Sequence, residues 1–183
     1  MELYQPQEDS NLIAESVPKL VKKGVKCLDM GTGSGVIVKA LLEQTSDVTG
    51  ADVNPYAVSY CTKKYKKAKF IQSDLFSNIT SKYDVITFNP PYLPEDKHED
   101  LETALTTTGG AQGYELLLKF LKQAKTHLTK EGFIITLFST LTKPDIVYNE
   151  AKKLGYEHEM ISNKKIFFET LYCVRFALAS KTR

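Results

Sequence analysis

The chain has 183 residues, enough for one domain with a substantial core. Its 42% hydrophobic and 25% charged content is ordinary for a globular protein, and a formal net charge of +2 gives no global electrostatic case for a nucleic-acid binder. Cys27, Cys61 and Cys173 lie far apart and show no metal-ligand spacing, so neither a metal site nor a disulfide framework is expected, and a reducing, cytoplasmic setting is. No apolar run approaches a membrane span, and the polar, acidic start does not read as a signal peptide.

In chain order, Met1 to Gln7 form a short polar lead. Glu8-Asp9-Ser10 then supply helix-start chemistry ahead of Leu12, Ile13, Val17 and Leu20. Pro18 predicts that this helix bends or ends early. Val25 to Met30 reads as a buried strand running into Gly31-Thr32-Gly33-Ser34-Gly35, with a helix after it. Asp47 to Asp52 reads as a second strand ending in an acid. Asn54-Pro55 then starts a helix that becomes Lys-rich through Lys67. Lys69 to Gln72 is a short third strand followed by Ser73-Asp74-Leu75-Phe76. Tyr83 to Phe88 is a fourth, ending in Asn89-Pro90-Pro91-Tyr92.

Leu93 to Gly113 lacks clear periodicity, as either a functional loop or a mobile segment would. A 3.6-residue period follows from Tyr114 to Leu128. Gly132 to Phe138 reads as a fifth strand, and Lys143-Pro144 opens another helix. Two strand-like runs then close the chain, with Asn163-Lys164-Lys165 expected as their hairpin connection. This alternation of strand and helix predicts an α/β fold: one doubly wound, mostly parallel, seven-stranded sheet with a C-terminal antiparallel hairpin. In such sheets ligands bind at strand carboxyl ends near the reversal of strand order. The chemistry-bearing residues all fall at such ends, so they are expected to converge.

Each has a mundane alternative. The glycine loop lets a ligand approach the backbone, but its Gly-x-Gly-x-Gly spacing lacks the third glycine of the dinucleotide fingerprint. Asp52, about 20 residues on, is placed for two ribose hydroxyls, or is a solvated strand-end acid. Asp74 could accept from an adenine amino group, or cap a turn. Phe76 could lie on an adenine face, though a core role is favoured. At Asn89 to Tyr92, two consecutive prolines make a stiff exit in which carbonyls outnumber N–H donors. With the Asn89 amide oxygen and the flat Tyr92 ring, this exit suits a planar group bearing –NH2.

Leu28 to Gly35, Asp52, Ser73 to Phe76 and Asn89-Pro90-Pro91-Tyr92 resemble the ordered motifs of class I S-adenosylmethionine-dependent methyltransferases, which have a Rossmann-like fold. The Asn-Pro-Pro-Tyr form is similar to that of the branch that methylates planar nitrogen. Tyr4 to Ser10 resembles the opening of the short archaeal and eukaryotic HemK-type glutamine methyltransferases, and Gly109 to Glu115 resembles their Gly-Gly-x-x-Gly-Arg-Glu segment, with Tyr114 in place of Arg. The resemblance spans essentially the whole chain. It implies a single methyltransferase domain over residues 1–183, with 1–24 as an N-terminal extension and helix packed on it, and no room for the extra N-terminal helical domain of the bacterial relatives.

The resemblance implies that Glu8, Asp9, Asp29, Gly31, Gly33, Gly35, Asp52, Asp74, Leu75 and Asn89 bind S-adenosyl-L-methionine. It implies that Asn89, Pro90 and Tyr92 are catalytic, and that Asn89, Pro91 and Tyr92 hold the acceptor. The acceptor implied is the glutamine of the Gly-Gly-Gln loop of a class I release factor. A small zinc-binding activator docked on the edge of the third strand, Lys69 to Gln72, is also implied, although the nearby lysines equally fit a solvated face or a guarded edge. Competing readings are an amino methyltransferase of DNA or RNA, a non-catalytic cofactor-binding subunit, and a nicotinamide oxidoreductase. The last two leave Asn89 to Tyr92 without a role.

Overall fold

The computed structural model describes residues 8–95 and 107–179. The expectations placed on Tyr4 to Gln7 and on the acidic tract around His98 lie outside those residues.

Seven strands form one sheet in the order β3-β2-β1-β4-β5-β7-β6. They are β1 (Cys27–Met30), β2 (Val48–Asp52), β3 (Lys69–Gln72), β4 (Tyr83–Phe88), β5 (Leu128–Ser139), β6 (Tyr156–Ile166) and β7 (Glu169–Leu178). β1 to β5 pair in parallel, while β7 runs antiparallel to β5 and to β6. The expected mixed sheet with its terminal hairpin is therefore present. β1 has β2 on one side and β4 on the other, so strand order reverses there.

The central strands are covered on both faces, which explains their nearly continuous apolar runs. Side chains alternate between two cores. Leu28, Ile86 and Ile134 enter one with Leu117, Phe120 and Leu121 of α4 (Glu115–Ala124). Cys27, Val85 and Ile135 enter the other, with Leu12, Ile13 and Val17 of α1 (Glu8–Leu20) and Val38 and Leu41 of α2 (Val36–Leu42). All three cysteines are buried and free, as small apolar residues. Helix α3 (Pro55–Lys64) starts as its sequence directs: the Asn54 side chain accepts the Tyr56 N–H at 2.9 Å, with Pro55 in the first turn.

Three expectations need correction. α1 continues through Pro18 to Leu20, because a proline two residues from the end removes only one donor from the final turn. β5 begins at Leu128, ahead of Gly132, with a register irregularity against β4 that absorbs the polar Thr129 to Glu131. The hairpin does not turn at Asn163 to Lys165. Those residues stay paired with β7, Ile166 faces Glu169, and the turn is Phe167-Phe168. The polar run resembles a loop only because β6 is an edge strand exposed along most of its length. The last helix, α5, is Pro144–Lys153. Among the described residues, no helix is long and apolar enough to cross a membrane.

Candidate active site

A cavity of about 400 Å³ lies at the carboxyl ends of β1 to β4. That volume is within the roughly 300–1,000 Å³ of small-molecule sites. Its floor is the loop after β1, where Gly31, Thr32, Gly33 and Ser34 all face it. Two acids fix this loop from beneath. Asp29 is fully buried in β1 and accepts the Thr87 hydroxyl of β4 at 2.7 Å. Burial pushes its carboxyl up from 3.8 to about 7, against the opposing effect of the Thr87 and Thr32 hydroxyls. Asp52, at the end of β2, spans two backbone segments. Its Oδ2 accepts the Gly33 N–H at 2.8 Å and its Oδ1 accepts the Asn54 N–H at 2.8 Å. Burial raises its pKa, and those N–H groups act against the rise. The Gly33 N–H is thus committed to Asp52. Gly35, at φ +79°, makes the left-handed turn into α2, and a Cβ there would press on Tyr65 and on Cys61 Sγ at 3.0 Å.

The β3 exit forms the second wall. Leu75 holds a left-handed φ of 45°, uncommon outside glycine, and the Ser73 hydroxyl secures it by donating to the Leu75 carbonyl at 2.7 Å. Ser73, Asp74 and Leu75 line the cavity. Asp74 stands at its exposed rim, with its side chain 67% accessible and Lys119 Nζ at 3.9 Å. Phe76 points elsewhere, stacked on Phe120 and His127 in the core.

Asn89 to Tyr92 form the third wall and are fastened from several directions. Thr136 of β5 donates its hydroxyl to the Phe88 carbonyl at 2.8 Å. Thr142, in the short 3-10 turn Thr140–Thr142, donates to the Tyr92 carbonyl at 3.2 Å. Behind the exit runs the segment from Thr107 to Gly113, joined to Leu93 by backbone bonds at 2.9 Å. A Cβ at Gly109 would lie 2.6 Å from the Pro91 carbonyl oxygen, and one at Gly113 would lie 2.5 Å from that of Tyr92. These two glycines are required so that one backbone can press against the other. Sequence reasoning noted Gly109 and Gly113 only as part of a resemblance and gave them no role.

Asn89 carries the most informative atom. Its Nδ2 donates to the Ser10 hydroxyl of α1 at 3.1 Å, while its Oδ1 is buried and accepts no hydrogen bond. A buried acceptor left unpaired costs roughly 1–3 kcal/mol, which a ligand donor relieves once the Asn89 side chain turns to bring that oxygen to the cavity surface. Glu169 was missed by sequence reasoning. It lines the same cavity, and its buried Oε2 is likewise unpaired. No local signal marks it; only the pairing Ile166–Glu169 beside the Phe167-Phe168 turn brings it to the wall. Tyr92 is half-buried in the cavity, and burial, then the charges of Glu169 and Asp9, push its phenol pKa well up, so the ring stays neutral.

Ten of the residues singled out in the sequence line this one cavity: Asp9, Gly31, Gly33, Asp52, Asp74, Leu75, Asn89, Pro90, Pro91 and Tyr92. Three do not. Asp29 and Gly35 support the floor from below, and Glu8 pairs outside with Lys164 of β6 at 3.3 Å. Acids at the ends of β2 and β3, apolar walls from Met30, Val53 and Leu75, and an orphaned acceptor at Asn89 suit an elongated ligand with a diol and an amino-bearing ring beside a second, –NH2-bearing group.

Residues 7–161 match the model of the methyltransferase small domain. An archaeal relative, from Methanocaldococcus jannaschii and provisionally named a protein N5-glutamine methyltransferase, is 36% identical over 180 residues; the match covers 94% of this chain and 90% of that one. A release factor glutamine methyltransferase of Fusobacterium nucleatum is 30% identical over 82% of this chain, which spans only 45% of that longer relative. Among solved structures, the E. cuniculi Mtq2–Trm112 complex, described as responsible for methylating the translation termination factor eRF1, matches with a TM-score of 0.80 at 25% identity, over 98% of this chain and 100% of that one. The fold also matches a T. thermophilus 16S rRNA guanine N2 methyltransferase solved with S-adenosylmethionine and guanosine, at TM-score 0.69 and 19% identity, over 96% of this chain and 44% of that one. The chain belongs to the methyltransferase small domain family and is an S-adenosylmethionine-dependent methyltransferase.

Proposed function

We propose that this enzyme methylates the side-chain amide of a glutamine, specifically that of the Gly-Gly-Gln loop of a class I release factor. The observation that carries the reading is the buried, unpaired Oδ1 of Asn89 in the wall of the cavity. The names borne by the archaeal and bacterial relatives and by the eRF1-methylating complex support the choice of glutamine over a nucleic-acid amino group. The near-neutral net charge supports it too.

S-adenosylmethionine supplies the activated methyl group. Asp52 serves the ribose, Asp74 and Leu75 the adenine, and Asp9 with Gly31 the amino-acid end, while Gly33, its N–H held by Asp52, lets the ligand approach the backbone closely. Asn89 Oδ1 and the Pro90 carbonyl accept the two N–H bonds of the acceptor amide, and Tyr92 holds its plane. An amide nitrogen is a weak nucleophile because its lone pair is delocalised. Acceptors fixed where positive charge grows on that nitrogen stabilise the transition state by about 2–4 kcal/mol each. The fastening of this exit by Thr136, Thr142, Gly109 and Gly113 keeps those acceptors in place before the acceptor arrives. No strong base is required before attack, since the proton leaves a nitrogen already made cationic.

A small activator subunit belongs to the proposal, supported by the partner named in the matched complex. Its zinc content and its seat on β3 are finer proposals, which rest on β3 being a sheet edge with partly exposed residues. A cytoplasmic location accompanies them.

The test is transfer of labelled methyl from S-adenosylmethionine to a class I release factor, short DNA and transfer RNA, each with and without the activator. Label on the release factor, lost when its Gly-Gly-Gln glutamine is replaced, is the expected result. Label confined to nucleic acid contradicts it.

A further inference from the structure

Phe167 and Phe168 are each 97% exposed. They form the two-residue turn between β6 and β7, and the residues on either side of them, Ile166 and Glu169, line the cavity. A third exposed apolar residue, Leu141 at 44%, sits in the neighbouring 3-10 turn, which the Thr170 N–H ties to the hairpin by donating to the Thr140 hydroxyl at 3.1 Å. The same turn holds the Tyr92 carbonyl through Thr142. Phe167 and Phe168 thus directly follow and precede cavity-lining residues, and Leu141 stands in the turn tied to their hairpin, far in the sheet from the edge strand β3.

We infer that Phe167, Phe168 and Leu141 form a docking patch for the protein that carries the acceptor amide, gripping an apolar surface outside the loop that enters the cavity. The inference rests on the proposed glutamine acceptor. A Gly-Gly-Gln loop offers two residues without side chains, so affinity has to come from contacts elsewhere on the substrate. Two adjacent aromatic residues exposed to this degree have no role in the fold, and aromatic anchors are the groups that concentrate binding energy at protein interfaces.

Charge around the patch favours a polypeptide over RNA. Lys164 is paired with Glu8, and Lys143 donates to the Gln112 side chain. Binding of a phosphate backbone needs an uncompensated basic surface, which this rim lacks.

The test uses the full chain, alone and with the activator, and intact release factor as substrate. Phe167→Ser/Phe168→Ser is expected to keep its thermal midpoint and its cofactor affinity, because the replaced side chains are in solvent. Its KM for the release factor is expected to rise about 10- to 100-fold with kcat little changed. A photoreactive benzoylphenylalanine at position 168 is expected to crosslink to the release factor. An unchanged KM while the wild type methylates the release factor overturns the patch and leaves the glutamine reading standing. Crosslinks formed instead to RNA, to the activator or to a second copy also overturn it. Failure of the wild type to methylate any release factor, with nucleic acid labelled, removes the glutamine reading and the patch with it.

Discussion

The two halves of the cavity are built in different ways. Apart from Asp9 of α1, the cofactor half comes from three consecutive strand ends, β1, β2 and β3, with loops that are short in sequence and braced by near neighbours such as Asp52 on Gly33 and Asn54. The acceptor half is gathered from five separate places: α1, the β4 exit, Thr107 to Gly113, the 3-10 turn and the β6–β7 hairpin. One half can be read from local motifs. The other exists only once the sheet has formed; Asn89 Oδ1 and Glu169 Oε2 stand unpaired in it, as Asp29 Oδ2 and Thr32 Oγ1 do in the first. Under the proposed function, the cofactor half is general to the reaction and the acceptor half selects the substrate.

Separating the halves by mutation is the direct way to break that comparison. The largest expected effect is at Asn89. Asn89→Ala should lower methyl transfer by at least about 10²–10³-fold. Calorimetric cofactor affinity should stay nearly unchanged, and equal loss of both would place Asn89 in the cofactor half. Asp52→Ala should do the reverse. It removes two backbone bonds and, under the proposed function, a ribose partner, so cofactor affinity should fall about 10- to 100-fold, at an energy scale of about 1–3 kcal/mol. A variant that binds cofactor normally but fails in transfer would contradict that role.

Gly113→Ala sharpens the comparison further. At φ +86°, with a Cβ meeting the Tyr92 carbonyl, it should cost about 1–3 kcal/mol of stability. In denaturant titrations and activity assays at low temperature, it should impair the acceptor half while the folded fraction still binds cofactor.

A further expected effect, on stability and not on transfer, is a change in pH dependence at Asp29. Its carboxyl holds its proton to about 7 when folded and to 3.8 otherwise, so the folded state binds more protons between those values. Stability from this group is full below the lower value and is lost as pH rises toward 7, by on the order of a few kcal/mol. Asp29→Asn should flatten that part of the stability curve relative to wild type. An unchanged slope would show that Asp29 is ionised throughout.

Much of this architecture was legible in the sequence. Asp29 to Gly35, Asp52 and Ser73 to Leu75 each sit where a strand ends, and the short apolar runs and the 3.6-residue period placed those strands and helices. Asn89-Pro90-Pro91-Tyr92 announced itself through two prolines. What was not legible depends on long-range pairing. Glu169 reaches the cavity only through the register of β6 with β7, and the polar Asn163 to Lys165 concealed that register by mimicking a turn. Gly35 and Asp29 were read with the ligand-binding residues because motif position does not distinguish a residue facing a cavity from one supporting it.

The central claim is that the unpaired oxygen of Asn89 receives a glutamine amide. It is tested most directly by tandem mass spectrometry of a class I release factor after incubation with the enzyme, its activator and S-adenosylmethionine. The account predicts a single added methyl on the side-chain nitrogen of the Gly-Gly-Gln glutamine, absent with Asn89→Ala. A methyl elsewhere on the release factor, or none there while a nucleic-acid amino group is methylated, would contradict it.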